Sequence, residues 1–378
     1  MAAVAPATTC PPAAVEFLWI GASDGMEKAL VQQAGIPYQG IATGQLRGKN
    51  PLTAVQNAGK MIGGIIESWR ILRNFRPDVC LATGGYVCAP VVTVCRRRGI
   101  PVLIYLPDMV PGWAIRSLSR LAQRVAVSYP AVATYFGGLY PTGKAVVTGY
   151  PVRRELLDLV GNGRLDAQRH RENRAQLRRQ LAAQLERPLD ASGEAGPQPL
   201  VLVWGGSQGS RNINEATWAA LPQLLPHVQI LHVVGNRDWA AWQAKLQQPP
   251  VDVNLWRRYH PVAYLHEEMV LALAAADLTV ARAGASTLGE FPVARLPALL
   301  TPHPGVNQLQ NAEYLVQQGA AVLVRDEVLH QQLAPVLLAL VHDRHRRMAM
   351  EAALAQIAQP DAARAIAREL SALASQHR

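Results

Sequence analysis

Residues 276–291, A-D-L-T-V-A-R-A-G-A-S-T-L-G-E-F, and residues 296–312 after them, L-P-A-L-L-T-P-H-P-G-V-N-Q-L-Q-N-A, decide how this chain folds. Leu278 to Ala281 read as a short apolar strand, Arg282-Ala283-Gly284-Ala285 as a turn, and Ser286, Thr287 and Glu290 as the opening of an amphipathic helix. The first turn of a helix leaves N–H groups unpaired and carries partial positive charge, and glycine lets a ligand come close to the backbone. The turn is therefore a candidate phosphate site, with Glu290 one turn inside the helix and able to accept two hydrogen bonds from a ribose diol. The competing reading is an ordinary α/β turn in which Glu290 is half of a capping box. A second strand at 297–300 runs into a Pro-rich loop with Asn307, Gln308, Gln310 and Asn311, whose amides both donate and accept, as sugar hydroxyls require.

The same theme of strand, glycine turn and helix recurs through the chain. Strands are expected at 15–20, 36–41, 77–82, 102–105, 124–127, 144–153, 200–204, 229–234 and 254–256, and helices at 26–34, 52–75, 89–97, 115–121 and 169–185. T-G-G-Y follows the strand at 77–82, and G-G-S-Q-G-S follows that at 200–204, where Ser207 and Gln208 take the anion-facing position. Residues 154–199 break this rhythm with an Arg-rich helix and a polar Gly/Pro run, read as insert and linker. Two α/β domains are expected, 1–153 and 200–359, with a helix at 360–378 returning to the first. Their ligands belong where helix N-termini converge, in the cleft between them.

A length of 378 residues exceeds one ordinary core, and 49% hydrophobic residues mark a globular protein. The formal charge of +10 fits an anionic partner, although much of the excess sits between Arg164 and Arg187, either a solvated linker face or a phosphate-binding patch. Cys10, Cys80, Cys88 and Cys95 show neither zinc-ligand nor disulfide spacing and read as buried apolar residues of a reducing compartment. No apolar run is long enough to span a bilayer, and the first residues lack a basic signal-peptide start, so a cytoplasmic protein is expected. The 52–75 segment carries apolar residues at helical spacing with Arg70, Arg73 and Arg76 at its end. It reads as a helix packed on a sheet or as one lying on an anionic membrane.

The order of these motifs, from W-I-G-A-S-D-G-M-E-K-A-L-V (19–31) and Q-L-R-G-K (45–49) through T-G-G-Y, P-V-R-R-E, G-G-S-Q-G-S, Y-L-H-E-E-M and R-A-G-A-S-T-L-G-E to N-Q-L-Q-N-A, resembles the MurG-type glycosyltransferases. That resemblance implies a GT-B fold of two Rossmann-like domains facing a cleft. It implies inverting transfer of N-acetylglucosamine from UDP-N-acetylglucosamine to the undecaprenyl-linked muramyl-pentapeptide of peptidoglycan synthesis. It further implies work at the inner face of the cell membrane, with an anionic membrane surface but no nucleic acid as partner, and a hexosyltransferase that needs neither cofactor nor metal. By the same resemblance Ser207, Gln208 and Ala285 to Thr287 hold the diphosphate, backbone at Leu265 the uracil and Glu290 the ribose. Asn307, Gln308 and Asn311 are assigned to the sugar, Arg153 adds a cation, and Gly84, Gly85 and Tyr86 take the lipid pyrophosphate.

Three departures from the family pattern stand out. Nothing before Trp19 matches the family's first strand and its Gly-rich loop ending in His, the family's favoured base, so the first domain is expected to lack its first βα unit. That strand is central in the usual doubly wound order, and its removal leaves two neighbours with unpaired backbone groups. The expectation that the recorded start lies downstream of the true one is tested by the upstream DNA, where an in-frame stop just before Met1 refutes it. Asp108 stands where an Asn usually meets the donor sugar, as a substitute base or as a loop-capping residue, and Tyr150 replaces a usual Asn. Two rival functions stay open: a nucleotide-sugar-binding homologue without turnover, and a GT-B transferase with another lipid acceptor. A GT-B epimerase is a weaker third.

Overall fold

The computed structural model describes residues 15–25, 27–44, 51–137, 143–163, 165–189, 192–193, 196–206 and 208–377. The Q-L-R-G-K motif, Arg164, Ser207 and Cys10 lie outside them. Tertiary contacts divide the chain into two compact units. One comprises the residues up to Tyr105, Trp113–Arg124 and those from Leu370 onward; the other comprises Leu106–Gly112 and Val125–Glu369.

In the first unit the order is β1 (Trp19–Ala22), α1 (Lys28–Gln33), β2 (Tyr38–Ile41), α2 (Pro51–Phe75), β3 (Cys80–Ala82), α3 (Cys88–Arg97), β4 (Val102–Leu106) and α4 (Trp113–Leu118). β1 pairs in parallel with β2, and β3 with β4, in separate sheets. The strands that the doubly wound order would set beside a central one, β1 and β3, thus each pair on one side only among the described residues. The first strand starts four residues later than expected, at Trp19, because Val15 and Phe17 are 73% and 63% exposed and make no ladder bonds among the described residues.

After the Leu106–Gly112 loop, the second unit continues from β5 (Arg124–Val127) through α5 (Pro130–Ala133) to β6 (Ala145–Val147), with β5 and β6 parallel. The expected strand over 144–153 ends at Val147, since Gly149 takes φ +88° and turns the chain into α6 (Arg154–Leu159). α7 (Ala167–Leu185) follows, then a two-residue hairpin of β7 (Ser192–Gly193) and β8 (Gly196–Pro197) within the expected linker. Next come β9 (Leu200–Trp204), α8 (Arg211–Leu224), β10 (Gln229–Val233), α9 (Asn236–Leu246), α10 (Val253–Trp256), β11 (Tyr259–Val262), α11 (Glu268–Ala275) and β12 (Leu278–Ala281). The chain closes with α12 (Thr287–Ala294), β13 (Ala298–Leu300), α13 (Leu309–Gln317), β14 (Ala321–Leu323), α14 (Leu329–His342), α15 (Arg344–Ile357) and α16 (Ala362–His377).

Six of these strands form one parallel sheet in the order β11-β10-β9-β12-β13-β14. Val201 and Val203 of β9, Ile230 of β10 and Val280 of β12 share a cluster with Ile213, Leu221 and Leu224 of α8 and Leu333, Leu337 and Leu340 of α14. The alternate residues Leu200 and Leu202 are equally buried, so both faces are covered, which is why these strands are continuously apolar. The expectation of a strand at 254–256 is wrong. Asp252 accepts from the N–H of Asn254 and Leu255 and caps a helical turn there, and the strand is β11, three residues on. Inside this unit His232 bridges Tyr259 Oη (2.7 Å) and Asn214 Oδ1 (3.1 Å), and burial pushes the imidazole down to about 3, so it stays neutral.

Candidate functional site

The sequence after β12 bends as its glycine turn requires. Thr287 N donates to Gly284 O (3.1 Å), Leu288 N to Ala285 O (3.1 Å) and Gly289 N to Ser286 O (3.1 Å), so α12 opens with tight three-residue bonds. Among the described backbone bonds the N–H groups of Ala285 and Ser286 have no acceptor, and beyond the two adjoining residues nothing lies within 4 Å of a Cβ built on Gly284. The result is a helix start with free amides and open space before it, the geometry that holds phosphate oxygens. Ser286 caps nothing with its side chain, so the capping-box reading of Glu290 does not hold.

Glu290 is buried, and Arg153 from the start of α6 reaches its Oε1 with Nε (3.0 Å) and Nη2 (2.8 Å). Burial pushes the Glu290 carboxyl up, and the Arg153 charge and hydrogen bonds, with a hydrogen bond from the Ser286 side chain, pull it back only in part. Two residues assigned to different parts of a ligand thus form one ion pair. Tyr150 closes the same corner. Its ring lies so near α12 that a Cβ on Gly289 would be 2.4 Å from Cδ1, and burial, with the Glu290 and Asp108 charges, raises its phenol to about 12. The sequence marked Tyr150 only as a deviation from the family pattern; its place beside Glu290 depends on tertiary structure.

Asn311, near the start of α13, is fully buried and spends its amide on protein. Nδ2 donates to Asp108 Oδ1 (3.0 Å) and to Ala283 O (3.1 Å), and Oδ1 accepts from Met109 N (3.0 Å). It therefore fixes the Asp108 loop against the end of β12. Gln308 is part-buried and its Oε1 takes the His303 N–H at 2.9 Å, whereas Asn307 is exposed. Leu265 is buried in the loop after β11, and Gln208 is exposed in the glycine loop after β9. In that loop Gly209 (φ +72°) approaches Val234 O so closely that a Cβ would lie 2.3 Å from it.

Arg282 is a positioning residue that sequence reasoning passed over. Its guanidinium joins Ser210 Oγ at the start of α8 (2.7 Å), Thr301 O after β13 (3.0 Å) and Asp326 Oδ1 after β14 (2.5 Å). It ties together the loops at the C-terminal ends of neighbouring strands, where open parallel sheets bind ligands. Burial opposes ionisation of Asp326, yet hydrogen bonds from Asn212 and Arg282 and the latter's charge hold the carboxyl below its usual range. The only signal in the sequence was a cation directly after an apolar strand.

In the first unit, Gly84 (φ +102°) and Gly85 (φ +80°) precede α3, and Tyr86 is 39% exposed. Gly84 O accepts from Cys88 Sγ, and a Cβ on Gly84 would meet Ile115 Cδ1 at 3.0 Å. On α2, Ile62, Ile66 and Trp69 form an exposed apolar stripe at positions i, i+4 and i+7, with Lys60, Arg70 and Arg73 exposed around it. No helix among the described residues is long and apolar enough to cross a membrane.

Comparison with known proteins identifies the family and the fold. Residues 3–127 match the glycosyltransferase family 28 N-terminal domain, and residues 200–366 the family 28 C-terminal domain. A UDP-N-acetylglucosamine--N-acetylmuramyl-(pentapeptide) pyrophosphoryl-undecaprenol N-acetylglucosamine transferase of Roseiflexus sp. (strain RS-1) is 38% identical over 392 residues, covering 94% of this chain and 83% of that protein. Its namesake from Listeria welshimeri is 31% identical, covering 92% and 88%. Among solved structures, Acinetobacter baumannii MurG superposes with a TM-score of 0.67 at 23% identity, covering 94% of this chain and 90% of that one. A UDP-GlcNAc 2-epimerase from Neisseria meningitidis shares the fold at a TM-score of 0.64 and 14% identity, with 94% and 91% covered. At the identity and coverage shown by the Roseiflexus protein, this α/β chain of GT-B fold belongs to the MurG family of glycosyltransferases.

Proposed function

We propose that this chain transfers N-acetylglucosamine from UDP-N-acetylglucosamine to the lipid-linked muramyl-pentapeptide intermediate of peptidoglycan synthesis. Relatives named for that reaction cover 92% or more of the chain, and none of the observations favours a binder without turnover or another acceptor. The observation that carries the reading is the open first turn of α12 beside buried Glu290. Free amides at Ala285 and Ser286 and the positive end of the helix receive the diphosphate, whose charge grows as UDP leaves. Both bonds from Arg153 go to Glu290 Oε1, and Oε2 is the oxygen we assign to the ribose.

The acceptor hydroxyl attacks the anomeric carbon, the bond from that carbon to the diphosphate oxygen breaks, and UDP departs with inversion. We assign the hydroxyl proton to Asp108, which forms no ion pair among the described residues and is held in place by Asn311. Gln208, Leu265, Asn307 and Gln308 complete the donor side, and Gly84, Gly85 and Tyr86 the acceptor side. The apolar stripe on α2, ringed by cations, suits a peripheral position on an anionic membrane.

The test uses purified chain, labelled UDP-N-acetylglucosamine and lipid-linked acceptor. Wild type transfers the sugar, and Glu290→Ala weakens UDP binding in calorimetry by about a hundredfold, as expected for lost charge-assisted hydrogen bonds. Absence of any UDP heat in wild type, or an unchanged affinity in the variant, refutes the reading. Asp108→Asn, which keeps an acceptor for Asn311, lowers kcat while leaving KM close to wild type.

A further inference from the structure

The Arg-rich insert takes no part in the site above, yet it lines a cavity of about 470 Å³ in the second unit. Arg171, Arg174, Arg178 and Arg179 come from α7 and Arg344 and Arg347 from α15; the acidic residues lining the cavity are Asp277 and Glu351. Both carboxylates are already engaged. Arg174 Nη1 reaches Glu351 Oε1 at 2.7 Å and Asp277 Oδ1 at 3.5 Å, and Arg178 Nη2 reaches Asp277 Oδ2 at 2.5 Å. Arg171, Arg179 and Arg344 form no salt bridge among the described residues. Arg347 gives Nη1 to the carbonyls of Leu340 and Val341 and forms no salt bridge among the described residues, sharing only the longer-range field of Asp277, Glu351 and Asp343.

A network that served only to anchor α7 and α15 would need two guanidinium groups for two carboxylates. This one holds six, and the two innermost are incompletely satisfied. Arg174 and Arg178 are 4% and 9% exposed, and the Nε–H of each is buried without a partner. A buried donor left unpaired costs free energy unless something accepts from it. Guanidinium forks match the oxygens of phosphate in pairs, and several around one cavity match a doubly or more highly charged anion.

We propose that this cavity is a binding site for a phosphate-bearing anion, distinct from the donor site. Asp277 directly precedes β12 and accepts from Leu200 N, the first residue of β9, so the cavity lies at the N-terminal edge of the sheet. The glycine turns of the donor site lie at the other edge, roughly 13 Å of strand away. The two regions share α12, because Arg174 Nη2 also donates to Arg295 O at the end of that helix (3.3 Å). The phosphate belongs either to a soluble diphosphate or to an anionic lipid headgroup.

Pyrophosphate is titrated into the full chain in a calorimeter with saturating UDP throughout, so that the donor site is closed to it. The variant combines Arg179→Gln with Arg344→Gln, two exposed cations whose loss leaves the buried ion pairs intact. Saturable binding to wild type is expected, about tenfold weaker in the variant, whose UDP affinity is unchanged. Cosedimentation with phosphatidylglycerol vesicles separates the sources. Capture that pyrophosphate reverses in wild type and that is reduced in the variant assigns the site to a headgroup; equal capture of both proteins, with pyrophosphate binding still weakened in the variant, assigns it to a soluble phosphate. The proposal is overturned if neither probe binds wild type, or if the variant binds both as wild type does.

Discussion

At the first turn of α12 the amides of Ala285 and Ser286 meet no described carbonyl, whereas at its far end the carbonyls of Phe291, Pro292, Ala294 and Arg295 all accept hydrogen bonds. Phe291 O and Pro292 O accept from Leu296 and Arg295, the latter a left-handed cap at φ +47°. Ala294 O meets His170 Nε2 at 3.1 Å and Arg295 O meets Arg174. One helix thus has an end whose carbonyls are largely taken up by the protein and an end whose amides are left for something else. The closed end contributes to stability and the open end to binding, so substitutions at the two ends should separate the two quantities.

The sharpest break is at the closed end. Arg174→Ala leaves its own salt-bridge partner Glu351 unpaired, strips one of the two guanidinium groups from Asp277 and frees the Arg295 carbonyl, and is expected to cost about 3 kcal/mol in urea unfolding. Gly289→Ala comes next. Its methyl would sit 2.4 Å from Tyr150 Cδ1, and forcing the ring aside should cost about 1–3 kcal/mol and disturb the Glu290 corner as well. Loss of nucleotide affinity without loss of stability in that variant would show that Tyr150 yields freely.

Much of the second unit could be read from the sequence because its parallel strands are buried on both faces and punctuated by glycine. Leu200 to Trp204 and Leu278 to Ala281 were found at their observed limits. β11 escaped because it reads Tyr-His-Pro-Val, with a proline that only an edge strand tolerates, and β11 is the edge. Asn254 to Trp256 looked extended by residue preference, and the cap from Asp252 overrode it. Within the site, glycines and the helix start were visible, but pairs such as Arg153 with Glu290 or Asp108 with Asn311, 137 and 203 residues apart, were not. Periodicity reports a neighbour three or four residues away; it carries no information about a partner brought in by the sheet.

His170 gives the closed end a pH dependence. Burial, then the charges of Arg174 and Arg295, push its imidazole down to about 3, while in the unfolded chain it titrates near its ordinary value of 6.5. The unfolded state therefore takes up a proton that the fold refuses. This contribution is complete above pH 6.5 and is lost as pH falls from there toward 3. From pH 7 to pH 5 its share is about 2 kcal/mol, read as the difference in acid sensitivity between wild type and His170→Gln in denaturant titrations. Equal slopes for the two proteins would place the proton uptake elsewhere.

The smallest change sharpens the comparison most. Gly284 has ordinary backbone geometry and, beyond the two adjoining residues, nothing within 4 Å of where its Cβ would lie, so Gly284→Ala needs no rearrangement, and the unfolded chain loses some freedom. Stability should hold or rise by up to about 1 kcal/mol. The new methyl, however, would stand in the space before the free amides of Ala285 and Ser286, which a diphosphate must enter if that end of α12 is its seat. Calorimetry should then show UDP binding weakened about tenfold, a loss of roughly 1.4 kcal/mol, in a protein no less stable than wild type. An affinity equal to wild type would mean that the diphosphate lies elsewhere and that the amides at the open end are solvated by water alone.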